Sequence, residues 1–270
     1  MRRQVRIVQK KAVNFLCKLT VTNILLSLTL CFNGTKMMAE FQKGFQNFNQ
    51  RIIMKYNTVI FDLDGTLLNT LEDLATSANY ALEKFNFPER TMDEVRNFVG
   101  NGVRILMEKA VPKGTPDDVT EKCLGVFKEH YKTHSAVKTK AYDGIIPLLE
   151  KLKANNVKTA IVTNKMQEAA LIISKNYFGE LIDITIGQVD GQAQKPNPEG
   201  VFNAIKKLGS DKEKCIYVGD SDVDCLTAHN AGLKVIGAAW GFRGYKALKE
   251  AGADYIVNSA NEIFDIISYS

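Results

Sequence analysis

Cysteine is sparse and carries no pattern. The five residues (Cys17, Cys31, Cys123, Cys215, Cys225) form no CxxC pair and no ladder of spacings. That excludes a disulfide framework and a cysteine-built zinc or redox motif, and leaves free buried thiols in a reducing cytoplasm. Nothing beside Cys225 marks it as an activated thiol. Histidine is scarcer still: His130, His134 and His229 assemble no metal-ligand set, and His229 reads as structural. No apolar run is long enough to span a bilayer, since "VTNILLSLTLCF" (21–32) has only the length of a signal-peptide core. Internal repeats and low-complexity tracts are absent as well.

A uniformly basic surface is also missing, although the formal charge is +5. Residues 1–53 hold nine Lys/Arg and one acid, Glu40, which leaves 26 basic against 29 acidic residues from Met54 onward. A body with net charge −3 has no broad nucleic-acid-binding face. The basic segment before the apolar run at 21–32 fits an export signal or anchor, but Leu30 is large where a lipoprotein site needs a small residue. The reading preferred here is an extension outside the fold, with the compact domain starting at Met54, no stable membrane association and a cytoplasmic location. What is present is ordinary for a globular chain: 45% hydrophobic and 24% charged residues.

From Met54 short apolar runs alternate with amphipathic stretches. "NTVIFD" (57–62) is a strand; from Thr70 to Phe85 Leu71, Leu74, Ala78, Ala81, Leu82 and Phe85 recur at helical spacing. Pro88, Pro112 and Gly114 break three further helical segments, near 91–99, 103–111 and 116–133. Strands at "VKTAIVTN", "IDITIG", "KCIYVGD", "LKVIGAAW" and "ADYIVN" then alternate with helices, one of them "KMQEAALIISKNYF". The pattern predicts a Rossmann-like three-layer α/β/α core with a parallel sheet, built from 54–69 and 138–270. A second, all-helical domain at 70–137 is inserted after the first strand.

In an open parallel sheet, reactive groups gather at the carboxyl ends of the strands. Four strand ends here carry groups suited to phosphate chemistry: Asp62 and Asp64; Thr163 and Asn164; Lys195 in "QKPNP"; and Asp220, followed by Ser221, Asp222 and Asp224. A carboxylate attacks phosphorus competently and splits one hard step into two. Two anions need cations between them, which Lys195 and a Mg²⁺ ion on aspartate oxygens would supply. Gly65 allows the sharp turn that brings Asp64 back over the site. Singly, each of these residues has a plainer reading, as helix caps, a solvated lysine or first-turn acids. Their joint placement at strand ends is what carries the functional one.

"DLDGTL", "VTN", "KPNP" and "GDSDVD" resemble the four motifs of the haloacid dehalogenase superfamily, from about Met54 to the C-terminus. The resemblance implies that Asp62 is the phosphorylated nucleophile and Asp64 the general acid/base. It implies that Thr163, Asn164 and Lys195 hold phosphate, that Asp62, the backbone of Asp64 and Asp220 bind Mg²⁺, and that Asp224 supports them. A carboxylate at Asp64 points to phosphoester chemistry rather than dehalogenation. The helical insert at 70–137 resembles the superfamily's α-helical cap domain. The stretch around "FVGNGVRIL" (98–106) resembles the cap of phosphoglycolate phosphatases, while Asn69 departs from the usual Asp of the first motif. The expected activity is thus a Mg²⁺-dependent phosphatase for a small phosphorylated metabolite, with 2-phosphoglycolate favoured and the chain a monomer or homodimer. A phosphosugar mutase, a pyrophosphatase or nucleotidase, and a non-catalytic phosphate-binding module are the alternatives. Arg104 and Arg243, in "WGFRG", are candidates for substrate contact.

Overall fold

The computed structural model describes residues 54–269, and the extension at 1–53 lies outside them. The chain runs β1 (Thr58–Phe61), β2 (Leu68–Asn69), α1 (Leu71–Lys84), α2 (Met92–Phe98), α3 (Gly102–Ala110), α4 (Asp117–His134) and β3 (Lys140–Ala141). It continues with α5 (Ile145–Ala154), β4 (Lys158–Met166), α6 (Gln167–Phe178), β5 (Ile184–Gln188), α7 (Glu199–Leu208) and β6 (Cys215–Gly219). The last elements are α8 (Asp222–Asn230), β7 (Lys234–Ala238), α9 (Gly244–Glu250), β8 (Tyr255–Val257) and α10 (Ala260–Ile267).

Six strands form one parallel sheet in the order β5-β4-β1-β6-β7-β8. The central strand β1 is buried throughout, and its alternation divides the core. Val59 and Phe61 join a cluster with Leu148, Leu152 and Ile263 on one face; Ile60 joins Val201, Tyr217 and Ala228 on the other. Helices therefore cover both faces, as the continuous apolar strands predict. Cutting a side chain such as Ile60 to alanine would cost about 2–5 kcal/mol at a site of this kind.

The helices α1–α4 lie between β2 and β3 and build their own apolar cluster, with Leu74, Ala78, Leu106, Met107, Phe127 and Tyr131 inside it. Local chemistry sets their limits. Thr91 and Glu94 form a capping box at the start of α2, and Asn86 at φ 54° follows the end of α1. The two crossings into this block are tied together in a way the periodicity does not show. Leu68 pairs with Ala141 and Asn69 with Lys140 in a two-stranded antiparallel ribbon. Buried Asp73 accepts from the amides of Lys138 and Thr139 and from the Thr139 hydroxyl at 2.8–3.0 Å. Among the described residues no helix is long and apolar enough to cross a membrane.

One boundary differs from expectation. The sequence places Lys165 and Met166 at the start of a helix, whereas β4 extends through both. The register against β5 is regular to Val162 and resumes only at Met166. Residues 163–165 thus leave the regular ladder at the carboxyl end of the sheet, where the site lies.

Candidate active site

Asp62 continues β1, its amide donating to Val218 O at 2.9 Å, and its side chain emerges between β4 and β6. Gly65 turns the chain back at φ +91°. A Cβ there would stand 2.4 Å from Asp220 Oδ2, so this turn needs glycine for space as well as conformation. Asp220 follows β6 and is held at both oxygens, Oδ1 by the Thr66 hydroxyl at 3.1 Å and Oδ2 by the Phe242 amide at 2.7 Å.

Lys195 is buried at the centre of the acids. Its ammonium lies 2.7 Å from Asp62 Oδ1 and 2.7 Å from Asp224 Oδ1, with the Tyr217 hydroxyl at 3.2 Å. Asp224 is saturated: Oδ1 also accepts from Tyr217, and Oδ2 accepts from the Ser221 hydroxyl and the amides of Ser221 and Asp220. The Ser221–Asp224 capping box that opens α8 therefore also fixes Asp224 against the lysine. Asp222, exposed on the same turn, takes no part.

Three clustered carboxylates, two of them flanking one ammonium, leave an excess of negative charge. Burial pushes the Asp62 carboxyl up to about 7, with Lys195 pulling the other way. Burial and then the charges of Asp224 and Asp62 raise Asp220 well above the carboxylate range. Lys195 keeps its proton far above the usual lysine value; burial opposes this, and Asp224 and Asp62 outweigh it.

Oxygen atoms of Asp62, Asp220 and Asp224 lie within 4.8 Å of one another. Asp62 Oδ1 is buried and accepts no aligned hydrogen bond among the described residues, so its 2.7 Å approach to Lys195 is an ion pair only. An Asp62 oxygen that accepts no aligned hydrogen bond, a second acid with one donor per oxygen and a surplus of negative charge suit a hard divalent cation such as Mg²⁺. Asp224 has no lone pair to spare.

Asp64 stands apart from this cluster. Its carboxylate meets the buried ammonium of Lys165 at 3.0 and 3.3 Å, and Lys165 also donates to the hydroxyl of Tyr131, on α4. Burial disfavours the Lys165 charge, but Asp64 and Tyr131 override it and raise its pKa. Asp62, Asp64, Thr163, Lys165 and Lys195 line one cavity. Its opposite wall is Leu74, Val99, Val103, Leu106 and Tyr131, contributed by the helical block.

Three residues expected at phosphate or substrate have protein partners in the structure. The Asn164 side chain is spent on backbone: Oδ1 accepts from Lys195 N at 2.8 Å, and Nδ2 donates to Gly100 O and Lys195 O at 3.0 and 3.2 Å. It positions the Lys195 loop and has no amide proton left for phosphate. Arg104 is exposed on α3 and paired with Glu108 and Glu121. Arg243 donates to the carbonyls of Arg96 and Val99, joining the core to α2 rather than facing the cavity. His229 lies 3.5 Å from Asp254, outside the site. Lys165 and Tyr131 are the residues that sequence reading missed. The two-residue step from Thr163 along β4 was a usable signal for Lys165; nothing local marks Tyr131.

The parallel sheet with an acid centre at its carboxyl edge places the chain in the Rossmann-like class of α/β proteins. A family described as haloacid dehalogenase-like hydrolase matches residues 59–238, and the chain belongs to that family. It is 34% identical to a phosphoglycolate phosphatase of Aquifex aeolicus, over 68% of this chain and 85% of that protein. It is 29% identical to a pyrophosphatase of Halalkalibacterium halodurans, over 79% of this chain and 98% of that one. The crystal structure of a predicted phosphoglycolate phosphatase from Haemophilus somnus superposes with TM-score 0.73 at 29% identity, covering 78% of this chain and 98% of its own.

Proposed function

We propose that the protein is a Mg²⁺-dependent phosphatase of small phosphate monoesters, 2-phosphoglycolate first among them, working through a phosphorylated Asp62. The observation that carries this is the unequal state of the acids. Asp224 is fully hydrogen-bonded and Asp220 is held at both oxygens, while Asp62 has an oxygen with no aligned donor beside Lys195.

In this scheme an Asp62 oxygen forms a bond to phosphorus as the bond to the leaving oxygen breaks, and Asp64 delivers a proton to the departing alkoxide. Asp64 then takes a proton from water, whose oxygen attacks phosphorus, releasing inorganic phosphate and restoring the Asp62 carboxylate. Lys195 and the Thr163 hydroxyl hold phosphoryl oxygens as charge spreads over them. Asp62, Asp220 and the backbone carbonyl of Asp64 would hold Mg²⁺, which supplies neutralising charge to the phosphoryl group. The helices at 70–137 act as a cap that keeps bulk water from the phosphorylated state.

A second reading, pyrophosphate hydrolysis, is favoured by the pyrophosphatase relative at 29% identity. A screen of phosphate esters, nucleotides and pyrophosphate with Mg²⁺ tests both. Chelator-sensitive release of phosphate from a small ester is expected. Failure to hydrolyse any of these compounds would overturn the proposal.

A further inference from the structure

The cavity holds two buried ammonium groups, and the scheme above uses only Lys195. We propose that Lys165, together with the Tyr131 hydroxyl, recognises a second anionic group on the substrate. The substrate class is then small phosphates whose leaving group itself carries a carboxylate or a phosphate. This rests on the phosphatase reading and deepens it.

Three observations lead there. Lys165 is paired with Asp64 and not with Asp62, so it serves the part of the cavity beyond the phosphoryl end. It takes a carboxylate at both oxygens, at 3.0 and 3.3 Å, which is the mode in which it would take a carboxylate of the substrate. The Tyr131 hydroxyl accepts from Lys165 but donates to nothing among the described residues. A buried phenol ordinarily finds an acceptor, and an anion beside Lys165 would be one. The two side chains thus make a paired donor site, one from the sheet edge and one from the helical block.

Elimination gives the same answer. The other side chains of the far wall are hydrocarbon, Leu74, Val103 and Leu106 among them, with only the backbone of Gly100 and Gly102 polar there, so no other side chain there solvates a charged substituent. Neither Arg104 nor Arg243 lines this cavity. A second anion in this cavity has Lys165 and Tyr131 to meet. Its arrival would also draw Lys165 away from Asp64 and leave that carboxyl free to serve the leaving oxygen.

The test compares 2-phosphoglycolate, pyrophosphate and ethyl phosphate, which has the size of the first but no second charge. Wild-type protein should prefer one or both doubly anionic compounds over ethyl phosphate in kcat/KM by about tenfold to hundredfold, the range of a charge-assisted hydrogen bond. Which one wins identifies the anion as carboxylate or phosphate. Lys165→Met should lower turnover of all three through Asp64, yet collapse the ratio to within about threefold, chiefly by raising KM for the anionic compounds. Tyr131→Phe, which keeps the ring in place, should reduce the ratio by about fivefold, and Lys165→Arg should restore part of it. Thermal denaturation of each variant separates misfolding from lost recognition. A wild-type preference below threefold, or equal loss on all three substrates in folded Lys165→Met and Tyr131→Phe, overturns the inference while leaving the phosphatase intact. No turnover of any phosphate compound by the wild type overturns both.

Discussion

Asp62 and Asp64 stand one residue apart and each meets a buried lysine, but the two pairs live in different company. Lys195 is shared between Asp62 and Asp224, inside a cluster whose remaining acid is pinned by Thr66 and Phe242. Lys165 has Asp64 as its one carboxylate partner among the described residues, and its other contact is a phenol from α4. The first pair is built wholly from the core, Asp62 at the end of β1 and Lys195 in the loop between β5 and α7. The second reaches across to the helical block. The comparison teaches that a D-x-D step at the end of a buried strand can serve two environments: one rigid and charge-rich, suited to a metal and a nucleophile, the other at the seam between core and helices, suited to a proton carrier.

The largest expected effect breaks the first pair. Asp62→Asn keeps shape and removes the nucleophile, so kcat should fall by about 10⁴-fold or more, measured by phosphate release. Asp64→Asn should cost about 10²- to 10⁴-fold, and the loss should be steeper for an alkyl ester than for an aryl ester, whose leaving group needs no proton. Equal losses on both esters would contradict the division of labour.

Metal binding sharpens the contrast through pH. A carboxyl raised to about 7 stabilises the fold fully below its ordinary pKa, and that contribution is lost as pH rises through about 7. Protons also compete with the cation for Asp62. The rise in Tm produced by Mg²⁺ should therefore grow from about pH 5 to about pH 8, as read by calorimetry. It should vanish in Asp62→Asn and persist in Lys165→Met.

Asp73 controls the seam without touching the chemistry. Asp73→Ala strands the buried amide of Thr139 and the part-buried one of Lys138 and should cost about 1–3 kcal/mol in denaturant unfolding. The smallest effect belongs to Arg104→Ala. Its ion pairs with Glu108 and Glu121 are exposed and worth less than about 1 kcal/mol, so kcat/KM should stay within about twofold.

The core and the acid centre were legible because each element announces itself locally. Buried β-rich runs such as "TVIF" give strands, the spacing Leu71, Leu74, Ala78 gives α1, and acids straight after apolar strands mark the sheet's reactive edge. Residue type predicted location well but not partners. Asn164 looked like a phosphate ligand, yet a side-chain amide beside two loop backbones satisfies their carbonyls and amide first. Arg104 and Arg243 looked available because nothing local reveals Glu121 or the carbonyls of Arg96 and Val99. Lys165 was hidden by the change from strand to helix periodicity at 165–167, and Tyr131 by its separation of 34 positions from its partner.

The most direct test of the central claim is a rapid acid quench during turnover, followed by mapping of the phosphorylated peptide. Phosphate should be found covalently on the peptide that carries Asp62, should be absent from Asp62→Asn, and should accumulate in Asp64→Asn with an aryl ester, where the second step lacks its base. Full turnover with phosphate on another residue, or catalytic activity retained by Asp62→Asn, would contradict the account.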